Sequence, residues 1–125
     1  MKIMKIAVLD DNPRDGGALK QFLHFDSHDI HLYQHAVDFL RAVRQKEHFD
    51  ILFIDYFLDS GLLGTEVVDL IRPYVQDHTR VYIMSGLDDL SMLEDLVKKD
   101  RVNVTGVVLK DVGYEAIRRL ISELS

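Results

Sequence analysis

Four charged side chains in this 125-residue chain follow short apolar runs, and their types and positions could support one chemistry. They are Asp10, Asp11, Asp55 and Lys110. Charges at the ends of buried strands are costly unless another group balances or uses them. Three carboxylates and one ammonium group suit a site for a phosphoryl group and a divalent metal ion, which is the chemistry that this pattern predicts.

Apolar runs of strand length alternate along the chain with segments whose apolar residues recur at helical spacing. The predicted strands lie near Lys5–Asp10, Ile30–Tyr33, Ile51–Asp55, Arg80–Met84 and Gly106–Leu109. The five helical stripes include Leu19 and Phe22, Phe39 and Val43, Val67 and Ile71, Leu93 and Val97, and Ile117 and Ile121. The first, third and fifth strands are almost continuously apolar, which is typical of strands covered on both faces. The alternation predicts an α/β fold, (βα)5, with a doubly wound five-stranded parallel sheet and right-handed crossovers.

Proline and glycine residues mark two of the predicted helices. Pro13 is placed to open the first helix, which Gly16 and Gly17 should weaken. Pro73 lies inside the third helical pattern and should end or kink that helix.

In an open parallel α/β sheet, ligands bind beyond the carboxyl ends of the strands, at the point where the winding direction reverses. On the strand assignments above, the three carboxylates and Lys110 lie at strand ends, and Ser85 follows the fourth strand. We therefore expect five polar side chains at one edge of the sheet.

Four short motifs, in this order, resemble the receiver domain of response regulators in two-component signalling. They are Val8–Asn12, Ile54–Leu58, Met84–Gly86 and Leu109–Lys110. The resemblance covers essentially the whole chain, 1–125, and implies one receiver domain with no output domain. It also implies the flavodoxin-like strand order 2-1-3-4-5.

The resemblance implies a metal-assisted phosphoacceptor site. Asp55 would be the nucleophile that accepts the phosphoryl group. Asp11, Asp55 and the backbone carbonyl of Phe57 would bind Mg²⁺ directly, and Asp10 would act mainly through metal-bound water. Three carboxylates roughly 5 Å apart would repel by about 3 kcal/mol per pair at an effective dielectric of about 20, and the metal would remove that cost.

Three further residues would act on the phosphoryl group. Lys110 would place a positive charge beside its oxygens, and the Ser85 hydroxyl would bond to it after transfer. Gly86 would leave space for a phosphodonor or an attacking water molecule. Phe57 should lie near the mouth of the site and alter the lifetime of the acyl phosphate.

The chain departs from the family pattern at three places. Asp111 follows Lys110, whereas the family usually has a proline there, joined to the lysine by a cis peptide bond. A cis peptide bond to a residue other than proline costs about 2.5–4 kcal/mol. Val107 stands where the family usually has an aromatic residue, and Tyr82 on the neighbouring strand does not replace it. The loop Asp59–Gly64 lacks the usual proline and is one residue longer. We expect intact phosphoacceptor chemistry with a non-standard route to the surface.

Composition excludes several classes of function. The net charge of −6 argues against nucleic acid as a direct partner, and the absence of cysteine excludes disulfide and thiol chemistry. The N-terminus is too charged for a signal peptide, and no stretch approaches the ~20 apolar residues of a membrane span. We expect a soluble, cytoplasmic protein with no membrane partner.

Several other residues invite a functional interpretation. His24 and His28, and His31 and His35, are spaced like metal ligands on a helix, but their segment crosses a helix end, a loop and a strand. We interpret them as surface histidines.

Three apolar residues and one tyrosine could either complete the core or contact a partner. Leu62 and Leu63 should cap the core rather than contact a partner. Leu87 and Tyr114, on the same side of the fold, could contribute to a partner surface.

We expect a phosphoacceptor with self-catalysed phosphorylation and dephosphorylation rather than an enzyme. A sensor histidine kinase or phosphotransfer protein would donate from phosphohistidine to Asp55 in a Mg²⁺-dependent step. The added charge would switch a surface around the fourth and fifth helices that contacts an unknown downstream protein.

Three alternatives stay open. One is an adaptor receiver whose binding is independent of phosphorylation. A second is an aspartyl-phosphate phosphatase of the haloacid dehalogenase type, although that class needs Asp-x-Asp where this chain has adjacent Asp10 and Asp11. A third is a flavodoxin-like nucleotide site, which lacks its glycine-rich loop here.

Overall fold

The computed structural model describes residues 3–12, 20–21, 28–45, 47–58, 60–111 and 114–125. Its strands are β1 (Lys5–Leu9), β2 (Asp29–Tyr33), β3 (Ile51–Asp55), β4 (Arg80–Ser85) and β5 (Gly106–Leu109). Its α-helices are α1 (Ala36–Arg44), α2 (Gly64–Ile71), α3 (Leu90–Lys99) and α4 (Glu115–Leu124), with a 3-10 helix at Arg72–Tyr74. These helices correspond to the second to fifth predicted helical stripes. The first predicted stripe, with Pro13, Gly16 and Gly17, lies outside the described residues.

The five strands form one parallel sheet in the order β2-β1-β3-β4-β5. Both the fold class and the strand order predicted from the sequence are confirmed. The chain reverses its winding direction between β1 and β3, which are hydrogen-bonded neighbours. That switch point is where ligands bind in this class of sheet.

Two apolar cores cover the faces of the sheet. The face under α1, α2 and α3 includes Phe39, Leu52, Ile54, Val67, Ile71, Ile83, Leu93 and Val97. The face under α4 includes Ile6, Val8, Phe53, Tyr82, Met84, Ile117 and Ile121. Leu62 and Leu63 are partly buried against the first core, which confirms that they cap it.

The fifth strand is covered on both faces, as predicted, because Val107 and Leu109 pack against the first core and Val108 lies in the second. Its burial is less complete than expected, since most of its residues are only partly buried, whereas β1, β3 and β4 are almost fully buried. The reason is position, because β5 forms an edge of the sheet and has a strand on one side alone. Apolar composition does not distinguish an edge strand from a central one.

Helix ends follow local chemistry. α2 ends at Ile71, and Pro73 falls in the 3-10 helix that follows, as predicted. α3 begins after Asp89, whose side chain accepts hydrogen bonds from the backbone N–H groups of Ser91 and Met92. Such capping satisfies donors that have no partner within the helix.

Among the described residues, His28 was predicted wrongly as a surface histidine. His28 is buried, and its Nδ1 accepts a hydrogen bond of 3.0 Å from the backbone N–H of Met4. A buried N–H beside the first strand needs an acceptor, and this ring supplies it. His35 is exposed as expected, and His24 lies outside the described residues. Among the residues that could be searched, no histidine joins a group able to hold a metal ion.

Within the described part of the chain, no helix has the length and apolar character that a membrane crossing requires.

Candidate functional site

The predicted polar residues meet at the carboxyl edge of the sheet. Asp10 follows β1, Asp55 ends β3, Ser85 ends β4 and Lys110 follows β5. One carboxylate oxygen from each of Asp10, Asp11 and Asp55 lies within 4.8 Å of the other two. Because parallel strands deliver their ends to one edge, residues 100 positions apart become neighbours.

Lys110 joins two of the carboxylates. Its Nζ donates to Oδ2 of Asp10 and to Oδ2 of Asp55, each at 3.1 Å. Its backbone N–H donates to the Ser85 carbonyl at 2.8 Å, which extends the β4–β5 pairing by one bond and anchors the lysine. Burial lowers the pKa of Lys110, but attraction to Asp55 and Asp10 outweighs it and raises the pKa above its usual value. The ammonium group therefore stays charged.

The carboxylates outnumber the cation. Asp10 is 1% exposed and Asp55 6% exposed. Burial raises the pKa of Asp55 to about 6; Lys110 opposes the rise, and the negative charges of Asp10 and Asp11 add to it. Lys110 pairs with Asp10 and Asp55, and its single positive charge is smaller than the charge that three carboxylates can carry. A hard dication with oxygen ligands fits this donor set.

The end of β4 carries a hydroxyl group beside open space. Ser85 is buried, and its Oγ accepts a hydrogen bond of 3.2 Å from the backbone N–H of Leu87. A Cβ added to Gly86 would meet no atom within 4 Å. The region next to Ser85 is thus accessible to an incoming group.

Phe57, two residues after Asp55, is 50% exposed. Its ring packs edge-to-face against Tyr56, with centroids 4.8 Å apart. Its backbone pairs with Leu63 in an isolated antiparallel bridge. The place of Phe57 near the mouth of the site stays a prediction.

Sequence reasoning missed Gly64, the first residue of α2. A Cβ there would lie 2.3 Å from the backbone oxygen of Asp55, so a larger residue cannot fit without moving the strand end. The Gly64 N–H also donates to the Tyr56 carbonyl at 2.8 Å. A glycine at the start of a helix, shortly after the candidate acceptor, was the signal that could have identified it.

Sequence reasoning also missed a partly buried hydrogen-bond cluster next to the acceptor. The Tyr56 hydroxyl and the Thr65 hydroxyl both donate to Oδ2 of Asp100, at 2.8 and 2.7 Å. No local pattern pairs these residues, which lie 44 and 35 positions from Asp100.

The departures from the family pattern have structural consequences. The Lys110–Asp111 peptide bond is trans, as are all those between described residues. The Asp111 carboxylate accepts a hydrogen bond of 3.3 Å from the N–H of Ala116 in the first turn of α4. Asp111 thus serves the start of the last helix.

Val107 and Tyr82 lie on opposite faces of the sheet. Val107 packs with the core under α3, whereas Tyr82 packs with the core under α4 and stacks on Phe53 at 5.6 Å between ring centroids. Gly106 lies against the Tyr82 ring. Tyr82 therefore does not take the place of the missing aromatic residue, as expected.

The fold and this edge define a doubly wound parallel α/β domain with an acidic, lysine-paired site at its switch point. Residues 6–122 match the model of the response regulator receiver domain, and the chain belongs to that family, which serves two-component signalling. No curated protein sequence matches the chain.

Solved structures of receivers share the fold at low sequence identity. A CheY-like receiver domain protein from Methanospirillum hungatei is 18% identical with a TM-score of 0.77, and the match covers 98% of this chain and 94% of that one. Response regulator TrrA from Thermotoga maritima, solved in complex with Mg²⁺-BeF, is 19% identical with a TM-score of 0.79 and coverages of 98% and 100%. Chemotaxis protein CheY4 from Vibrio cholerae is 16% identical with a TM-score of 0.79 and coverages of 99% and 100%.

Proposed function

We propose that this receiver accepts a phosphoryl group on Asp55 from the phosphohistidine of a sensor histidine kinase or phosphotransfer protein, and that the added charge alters a protein-interaction surface. The observation that supports this most directly is the Asp55 carboxylate, which lies 3.1 Å from the Lys110 ammonium and within 4.8 Å of two further carboxylates. A nucleophile beside a fixed positive charge suits attack on phosphorus.

The transfer uses groups of the donor and of this edge of the sheet. A carboxylate oxygen of Asp55 forms a bond to phosphorus as the bond from phosphorus to the donor imidazole nitrogen breaks, and the imidazole leaves with that electron pair. Lys110, already paired with Asp55, neutralises charge on the phosphoryl oxygens. The Ser85 hydroxyl then donates a hydrogen bond to an oxygen of the attached group. Hydrolysis by water later restores the carboxylate.

The donor set supports a role for Mg²⁺. Asp11, Asp55 and the backbone carbonyl of Phe57 would hold the ion, with Asp10 acting through a water molecule. When bound, Mg²⁺ would supply the positive charge that the carboxylates and phosphoryl oxygens need. Asp10 is itself held in place, because its Oδ1 accepts a hydrogen bond of 3.0 Å from the backbone N–H of Asn12 and its Oδ2 pairs with Lys110.

Intact-mass measurement after incubation with a small phosphodonor and Mg²⁺ tests the acceptor. The wild-type chain should gain one phosphoryl group and Asp55→Asn should gain none, because an amide oxygen is a far weaker nucleophile. Asp95→Asn, at an exposed position of α3, is the matched control and should behave as wild type. Equal uptake by Asp55→Asn would refute the assignment.

Metal affinity should depend on pH in a defined direction. Since the Asp55 pKa is raised to about 6, the carboxyl group is ionised above that pH and holds a proton below it. A proton competes with the metal, so Mg²⁺ affinity should fall by about tenfold between about pH 7 and about pH 5. Thermal unfolding with increasing Mg²⁺ at each pH measures this. Asp55→Asn should weaken binding and remove most of the pH dependence; a wild-type affinity that is constant over this range would contradict the prediction.

A further inference from the structure

One carboxylate connects three elements next to the acceptor. Asp100 follows the last residue of α3 and accepts hydrogen bonds from Tyr56, which follows β3, and from Thr65, in the first turn of α2. Tyr56 is 3% exposed and Thr65 2% exposed, whereas Asp100 is only partly buried. We call these three residues the Asp100 cluster.

Asp100 is itself fixed to the end of α3. Its backbone N–H donates to the carbonyls of Leu96 and Lys98, and the next residue, Arg101, turns the chain with φ 57. A displacement of the Asp100 side chain therefore acts on the carboxyl-terminal end of α3 rather than on a loose loop.

Tyr56 is equally fixed to the acceptor strand. Its N–H donates to the Met84 carbonyl at 2.9 Å, and its carbonyl accepts from Gly64 at 2.8 Å. Gly64 also lies against the Asp55 carbonyl with no room for a Cβ. The peptide that joins Asp55 to Tyr56 is thus held between β4 and α2, and it cannot shift without moving Tyr56 and Thr65.

We propose that the Asp100 cluster couples the state of Asp55 to the helix α3. The inference rests on the proposed function, and it names the route by which phosphorylation reaches the surface of a receiver that has Val107 where an aromatic residue usually stands. The phosphoryl group displaces the end of β3, the tightly packed Tyr56 and Thr65 follow, and their shared acceptor carries the change to α3. The far end of α3 presents Leu90 and Met92, which are 41% and 51% exposed.

The protonation state of Tyr56 favours its role as the hydrogen-bond donor to Asp100. Burial and the hydrogen bond to Asp100 raise the pKa of Tyr56 to about 12, so its hydroxyl stays protonated and donates the hydrogen bond that Asp100 accepts. The Tyr56 hydroxyl therefore remains a hydrogen-bond donor across the neutral pH range.

Hydrogen–deuterium exchange of α3, with and without Mg²⁺ and beryllium fluoride as the phosphoryl mimic, tests the coupling. Fluorine NMR reports loading of the mimic independently of any response in α3. In the wild type, loading should change exchange at the α3 amides. In Tyr56→Phe, loading should still occur, but the loaded-minus-unloaded difference in α3 should shrink by about threefold or more. Tyr74→Phe removes a hydroxyl from a 46% exposed ring and should respond as wild type.

A second pair of variants separates coupling from general loosening. Thr65→Val removes the donor with little change of shape and should reduce the α3 response, whereas Thr65→Ser keeps the hydroxyl and should restore it. This pair also decides the matter if Tyr56→Phe does not fold.

The outcomes separate failure of the proposed function from failure of the coupling. A wild-type chain that does not load the mimic would overturn both. A wild-type chain that loads without any change in α3 would overturn the coupling alone. The coupling also fails if Tyr56→Phe and Thr65→Val load and respond as wild type, or if Tyr74→Phe loses the response equally.

Discussion

Replacing Lys110 with methionine should slow phosphorylation of Asp55 by about 10²-fold or more, since removal of one preorganised charge donor from a transition state commonly has this effect. Lys110 is the cation that contacts both Asp10 and Asp55, and its side chain is only 9% exposed. Methionine keeps much of the length and apolar character of the side chain. The decrease in the phosphorylation rate should therefore come from the lost charge rather than from altered packing.

The initial rate of phosphoryl uptake, followed by quenching and mass analysis at saturating Mg²⁺, measures this effect. Saturating metal matters because it offsets the carboxylate repulsion that the missing ammonium group would otherwise leave. Lys99→Met removes the same charge from an exposed position of α3 and should leave the rate unchanged. A Lys110→Met rate equal to that of wild type would show that the lysine does not act on the transferred group.

Replacing Gly64 with alanine should destabilise the fold by about 3 kcal/mol, in the upper part of the range for overpacked sites. The added Cβ would lie 2.3 Å from the Asp55 oxygen, 3.0 Å from its carbonyl carbon and 3.1 Å from the Tyr56 Cα. All three atoms belong to the backbone, so relief requires movement of the acceptor strand. Helix propensity alone predicts the opposite sign, because alanine is favoured over glycine in a helix by up to about 1 kcal/mol.

The free energy of unfolding in chemical denaturant, compared at an unchanged m-value, checks the prediction. Gly86→Ala is the matched control, since its Cβ would meet no atom within 4 Å, and its effect should stay within about 0.5 kcal/mol. A Gly64→Ala protein as stable as wild type would mean that the strand end yields easily. It would also remove the tight packing on which the proposed route from Asp55 to α3 depends.

Much of the site was predictable because its signals are local. The apolar run that ends at Asp55, and the one that ends at Asp10 and Asp11, mark strands whose ends carry uncompensated charge. An energetic cost of that kind is visible in the order of the residues alone. Once the strands alternate with helices, parallel topology brings the ends to one edge, and the structure places the three carboxylates and Lys110 there.

Two features that sequence reasoning missed depend on how distant segments of the chain are arranged. His28 is buried because the N–H of Met4, 24 positions earlier, needs its ring nitrogen. β5 is partly exposed because it lies at the sheet edge, although its composition matches that of a central strand. Neither fact has a local signature.

The sequence by itself determined the parallel α/β fold, the charged strand ends and, through its motifs, the receiver family, because hydrophobic periodicity and strand-end charge are properties of neighbouring residues. Only the tertiary structure decided that Gly64 has no room for a side chain. It also decided that Tyr56 and Thr65 share Asp100 as their hydrogen-bond acceptor, although they precede it by 44 and 35 positions. Such contacts arise from how helices pack on the sheet, and packing depends on distances that no local pattern encodes.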